Sequence, residues 1–212
     1  MRFRDRAEAG RLLALRLGAF KGRDAIVLAI PMGGIPVAYE IARELKAPLD
    51  VIMVKKIGAP FNPELAIGAV AWNGAVLVDE EMVQKWQIPR EYIREESQKL
   101  VKEMNDRLAG LRVGLGNFPK LFGRTVIIVD DGIATGSTMM AAVEVVRDQG
   151  AEEVAIAVPV LPRELVETME LVAPLYYLEA PEDFEAVGQY YEQFEMVSRE
   201  TAVELMLLAN VA

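Results

Sequence analysis

The chain has no cysteine and no histidine among its 212 residues. The first absence removes disulfides and thiol chemistry. The second removes the imidazole general base and the commonest ligand for transition metals. Long apolar runs are also missing: none reaches the roughly 18 to 20 uninterrupted residues of a membrane-spanning helix. The start, MRFRDRAEAG, has basic residues with no apolar core behind them, so no targeting signal is legible and a cytoplasmic protein is expected. Basic excess is lacking too. Lys and Arg number 23 against 32 Asp and Glu, a formal charge of −9, which disfavours nucleic acid and anionic membrane as partners. Neither G-x-x-x-x-G-K-[ST] nor a G-x-G-x-x-G after the first strand occurs, so an ATPase loop and a dinucleotide fold are unsupported.

Chemistry is therefore left to carboxylates, lysines, arginines, hydroxyls, backbone amides or a hard cation. With 52% hydrophobic residues the chain has ample material for a core, and its length suits one domain, 1–212. Predominantly apolar segments at Ala25 to Ile30, Leu49 to Val54, Val126 to Val129, Glu153 to Leu161 and Ala173 to Ala180 read as strands. Helical spacing is read at Arg6 to Leu17, Ile35 to Ala47, Arg90 to Gly110, Ser137 to Gln149, near Arg163 to Met169, and Arg199 to Leu208. Glycine and proline between Ile57 and Val70 argue for a loop or lid. Apolar strands alternating with helices imply an α/β fold, a central mostly parallel sheet flanked by helices. Ligands of such sheets lie beyond the carboxyl ends of the strands. That rule gathers three loops: Pro31 to Gly34, Lys55 onward, and Asp130 to Thr138.

The third loop is the richest. In TVIIVDDGIATGSTMMAA a buried strand delivers Asp130 and Asp131 to the sheet edge. Adjacent carboxylates repel, so a cation or hydroxyl set should satisfy them. Ala134, Thr135, Gly136, Ser137 and Thr138 then supply small side chains, hydroxyls and the start of a helix, the makings of a phosphate cradle. The plainer reading is an Asp-Gly turn followed by a Ser or Thr cap. Gly33 and Gly34 permit close backbone approach, or simply turn the chain from strand to helix. Lys55 and Lys56 are either anion ligands or solvent-facing charge. Phe184, Tyr190, Tyr191 and Phe194 are either a stacking wall for a flat molecule or core.

Taken together, VIIVDDGIATGST, AIPMGGIPVAYEIA and VIMVKKIGAPFNPELAIGAV resemble, in order, the segments of type I phosphoribosyltransferases, which bind phosphoribosyl pyrophosphate (PRPP). The resemblance covers roughly residues 1 to 200 and is nearest to a group of bacterial stand-alone members. It implies that Asp130 and Asp131 meet the ribose hydroxyls, with Mg²⁺ held by the same pair through water. It implies that residues 134–138 wrap the 5′-phosphate, and that Gly33, Gly34 and Lys56 meet pyrophosphate beside Lys55. The lid from Ile57 would belong to a hood contributed by about 57–112 and 181–212. One departure stands out: such proteins often carry Arg just before the paired glycines, where this chain has Met32, leaving Lys55 and Lys56 to compensate.

The implied reaction is displacement at C1 of the ribose by a nucleobase or other nitrogen acceptor, with pyrophosphate leaving. PRPP and that acceptor are the expected partners, and a homodimer is left open. Two other readings stay in play: a PRPP- or nucleotide-binding regulatory protein without turnover, and a hydrolase built on the paired carboxylates.

Overall fold

The computed structural model describes residues 2–211. A parallel five-stranded sheet forms the body. Its strands are β1 (Ala25–Ala29), β2 (Leu49–Val51), β6 (Thr125–Val129), β7 (Glu153–Val160) and β8 (Leu175–Glu179), lying in the order β2-β1-β6-β7-β8. The central strands are apolar on both sides because both faces are covered. Ala25, Val27 and Ala29 face one layer, built by α1 (Arg6–Arg16), α2 (Gly34–Leu45) and α7 (Arg199–Ala209). Ile26 and Leu28 face the other, built by α5 (Ser137–Asp148) and α6 (Val166–Val172). This period of two is the strand geometry at work. β1 and β6 are in register from Ala25 against Thr125 to Ala29 against Val129. The residues that leave these strands, 30–34 and 130–138, therefore emerge side by side.

The second expected strand is shorter than Leu49 to Val54. It leaves the sheet after Val51, and Val54 begins β3 (Val54–Ala59), part of a separate antiparallel sheet with β4 (Asn62–Ala71) and β5 (Val76–Val78). Lys55 and Lys56 thus lie inside a strand and not at a strand end. Ile57 to Val70, expected as a loop, is mostly the β3–β4 hairpin, with its turn at Pro60 and Phe61. α3 (Glu80–Lys85), capped by the Asp79 side chain, and α4 (Arg90–Leu108) complete this subdomain. Its own core includes Ile57, Ile67, Val70, Ile93, Leu100 and Met104. The hairpin holds its shape through paired strands, not as a free lid.

At the other end, α7 buries Ala202 and Met206 in the main core against α2. That stretch of 181–212 belongs to the body. Residues 180–197 instead wrap the sheet edge and meet the start of the chain: Phe3 N donates to Tyr190 O at 2.7 Å, and Glu192 N to Phe3 O at 2.8 Å. No helix among the described residues is long and apolar enough to cross a membrane.

Candidate active site

The acid pair sits where the register of β1 and β6 places it, at the carboxyl edge. Asp131 N donates to Asp130 Oδ1 at 2.8 Å, folding the first carboxylate back on the chain. Desolvation, then the neighbouring Asp131 charge, pushes the Asp130 carboxyl well above the ordinary carboxylate range. Asp131 has a cation: Arg6 Nε donates to Asp131 Oδ2 at 2.8 Å, with both side chains largely shielded from solvent. The pair therefore resolves its repulsion by dividing roles, one carboxyl biased toward its neutral form and one ion-paired.

The paired glycines press on these acids. A Cβ at Gly33 would overlap Asp131 Oδ2, and one at Gly34 would come within 2.7 Å of Val129 O. Glycine is required here so that the loop can lie on the carboxylates. α2 begins at this point, and no side chain caps it. α5 begins in the same way on the neighbouring strand. Its N-cap is Gly136, at φ 79°, and no side chain caps that helix either. The expected Ser or Thr cap does not form. Two helix starts without side-chain caps, each with a positive dipole end, flank the acid pair. At α2 the first amides are already spent, Gly34 N on Ile30 O and Ile35 N on Met32 O, with Pro36 next, so the open helix amides are those of α5. Ala134, Thr135 and Thr138 are exposed beside them and Ser137 is half-buried.

Adjacent residues of a strand face opposite ways, and the two lysines divide accordingly. Lys55 Nζ pairs with Glu103 Oε2 of α4 at 2.5 Å. Lys56 lines a cavity of about 440 Å³ together with Ser137, Asp79 and Glu144. Of the two, Lys56 alone shares a cavity with Ser137 of the 130–138 loop, and the structure does not bring the two lysines together.

The aromatic tail also divides. Tyr191 is buried, its ring packed on Phe3 and Phe194, and its hydroxyl donates to Asp131 O at 2.6 Å. Burial and the Asp131 charge raise this hydroxyl above its usual range, so it remains a donor. Phe194 stacks under the Arg6 guanidinium, 3.9 Å from ring centre to Cζ. Phe184 lies parallel to Tyr190 and lines a second cavity, about 490 Å³, with Ala134, Thr135, Pro162 and Arg163. Of the four aromatics, Phe184 alone lines that cavity.

Sequence reasoning missed Arg6 and the support given by Tyr191. Arg6 is one arginine in a basic opening segment, and nothing local marks it. The only available signal was the demand that two adjacent aspartates find a cation.

A family model described as a phosphoribosyl transferase domain matches residues 6–194. A Mycobacterium tuberculosis protein, Rv0571c, provisionally named a phosphoribosyl transferase, is 40% identical over 205 residues, which make up 96% of this chain and 46% of that protein. The chain thus spans under half the length of the curated relatives it matches. The crystal structure of TT1426 from Thermus thermophilus is 39% identical with a TM-score of 0.86, covering 98% of this chain and 99% of that one. A shorter similarity, 48% identity over 42 residues and 20% of each chain, is to the transcriptional regulator GfcR of Methanocella arvoryzae.

Proposed function

The chain belongs to the phosphoribosyl transferase family, and from that premise we propose that it transfers the 5-phosphoribosyl group of PRPP to a nitrogen acceptor, releasing pyrophosphate. One observation carries the reading: an acid pair lies between two uncapped helix starts on adjacent, in-register strands. A ligand with a diol between two phosphate groups matches that order. The free amides of α5 and the hydroxyls of Thr135, Ser137 and Thr138 take the 5′-phosphate. Asp130 and Asp131 take the ribose hydroxyls. The Gly33-Gly34 backbone faces the pyrophosphate, and Lys56 stands on the 5′-phosphate side, in the cavity with Ser137. As the C1–O bond breaks and the C1–N bond forms, negative charge grows on the leaving group, where the glycine backbone stands.

Mg²⁺ fits this donor set. Asp130 and Asp131 offer two adjacent carboxylates, and Mg²⁺ commonly takes one or two carboxylates with substrate oxygens and water as its other ligands. Asp130 and Asp131 would hold it. When bound it would neutralise charge on the departing pyrophosphate.

The acceptor belongs in the cavity of about 490 Å³ beside Thr135, against Phe184. Glu164, Glu182 and Glu185 line the same cavity and are placed to take the proton the acceptor gives up. The hairpin tip at Pro60 and Phe61 is the candidate cover against water. A regulatory protein that binds PRPP or a nucleotide without turnover is the second reading, favoured by the local similarity to GfcR.

The test is pyrophosphate release from PRPP and Mg²⁺ across a panel of purines, pyrimidines and small amines. Release that depends on an acceptor supports transfer. PRPP binding with no release under any acceptor selects the regulator. Release without any acceptor selects the hydrolase.

A further inference from the structure

We propose that Arg6, on the first turn of α1, is the arginine of the pyrophosphate end of this site, standing in for a cation that the loop itself, with Met32, does not carry. The inference rests on the PRPP reading above and adds to it a residue from a part of the chain outside the three loops. The geometry begins with a shared atom. Asp131 Oδ2 accepts from Arg6 Nε at 2.8 Å, and the same oxygen would be overlapped by a Cβ on Gly33. The guanidinium and the glycine loop thus border one carboxylate oxygen, and Arg6 lies beside the backbone that would cradle pyrophosphate.

Its donors are only partly used. A guanidinium has five N–H groups in a rigid fork. The Nε of Arg6 goes to Asp131 and its Nη1 to Glu195 O at 2.8 Å. The remaining N–H groups can meet an anion without breaking the pair with Asp131. The plane is fixed by Phe194, whose ring centre lies 3.9 Å from Cζ. A stacked, planar, permanently charged fork suits bidentate binding of phosphate oxygens better than a flexible ammonium does. Lys56 lies by contrast on the phosphate-loop side, in the cavity with Ser137, and Lys55 is engaged with Glu103.

A purely structural role is the competing account, in which Arg6 only balances Asp131 and ties down the tail. The two accounts differ in which ligand suffers. Titration calorimetry on the full chain, in the presence of Mg²⁺, compares PRPP, inorganic pyrophosphate and ribose 5-phosphate against wild type, Arg6→Gln and Arg6→Lys, with thermal melts of each. Arg6→Gln should weaken PRPP and pyrophosphate by about ten- to hundredfold, the loss of contacts to a charged group, while ribose 5-phosphate changes by less than about threefold, within the usual spread of small contacts. Arg6→Lys, which keeps the charge but loses the fork, should fall between. Equal loss for all three ligands, or PRPP affinity unchanged in Arg6→Gln, overturns the proposal while leaving the PRPP reading in place. A wild-type protein that binds neither PRPP nor pyrophosphate overturns both.

Discussion

Lys55 Nζ lies 2.5 Å from Glu103 Oε2, turned toward α4, while its neighbour Lys56 lines the cavity shared with Ser137. Two identical residues in sequence are thus committed to different tasks by the alternation of one strand. Lys56→Ala should lower PRPP affinity by about ten- to hundredfold, as expected for losing a hydrogen bond to a charged group. Lys55→Ala should leave that affinity nearly unchanged and lower the Tm slightly. Calorimetry and thermal melts on the two variants check this. Equal loss of affinity in both would mean that the division of roles is wrong.

The raised carboxyl of Asp130 has a stability cost with a definite sign. A group held above its unfolded value binds more protons in the folded state, so stability falls as pH rises from about 4 through the folded value. Asp130→Asn removes this dependence and keeps an acceptor for Asp131 N. Relative to wild type it should gain stability progressively from acidic to neutral pH. Chemical denaturation at several pH values measures the difference, and a constant offset would contradict the assignment.

Gly33 is a packing requirement, not a hinge. Its φ of −60° is ordinary, so alanine is refused only because its methyl would overlap Asp131 Oδ2. Gly33→Ala should displace either the loop or the carboxylate and cost PRPP affinity by at least about tenfold, roughly 1.4 kcal/mol. Circular dichroism should report the fold retained. Crystals of the variant with both the loop and Asp131 unmoved would refute the argument.

In the proposed reading, Phe184 separates the acceptor from the donor. It lines the cavity of about 490 Å³, with no place in the cluster around Arg6. In any acceptor-dependent assay, Phe184→Ala should raise the KM for the acceptor by about tenfold, the scale of one stacking contact of about 1 to 1.5 kcal/mol, with the PRPP Kd unaltered. A shift in the PRPP Kd alone would move the acceptor elsewhere.

Much of the body was legible because β1, β6 and β7 are buried on both faces and so are apolar along nearly their whole length. The position of the 130–138 loop, between a buried strand and a helix start, was legible because its small and hydroxyl residues follow directly on that strand. The hairpin was not. Its glycines suggested a loop, yet Gly58 and Gly68 are strand residues where a Cβ would overlap the backbone at Pro63 and Leu77. Close approach of strands uses the same residue as a turn. Tyr191 was read as either stacking wall or core, and the structure selects core, its hydroxyl finding a carbonyl inside the body that permits full burial. Arg6 was illegible for a different reason: its partner lies 125 positions away, and no local pattern encodes such a meeting.

The pairing of residue 3 with the segment around 191 gives the site a dependence on chain closure. Phe3 N to Tyr190 O, Glu192 N to Phe3 O and Gln193 N to Arg4 O hold together segments almost a chain length apart. A molecule whose sheet is formed but whose closure is open would present the acid pair without its arginine. Ligand that prefers the closed form must then stabilise that closure by mass action. PRPP should accordingly slow hydrogen exchange at Phe3, Glu192 and Gln193 more than at the amides of β6, and equal protection at both places would show that the closure does not open separately. Seen in this way, the seam between the two segments is a latch whose local opening free energy sets how often the site exists in complete form.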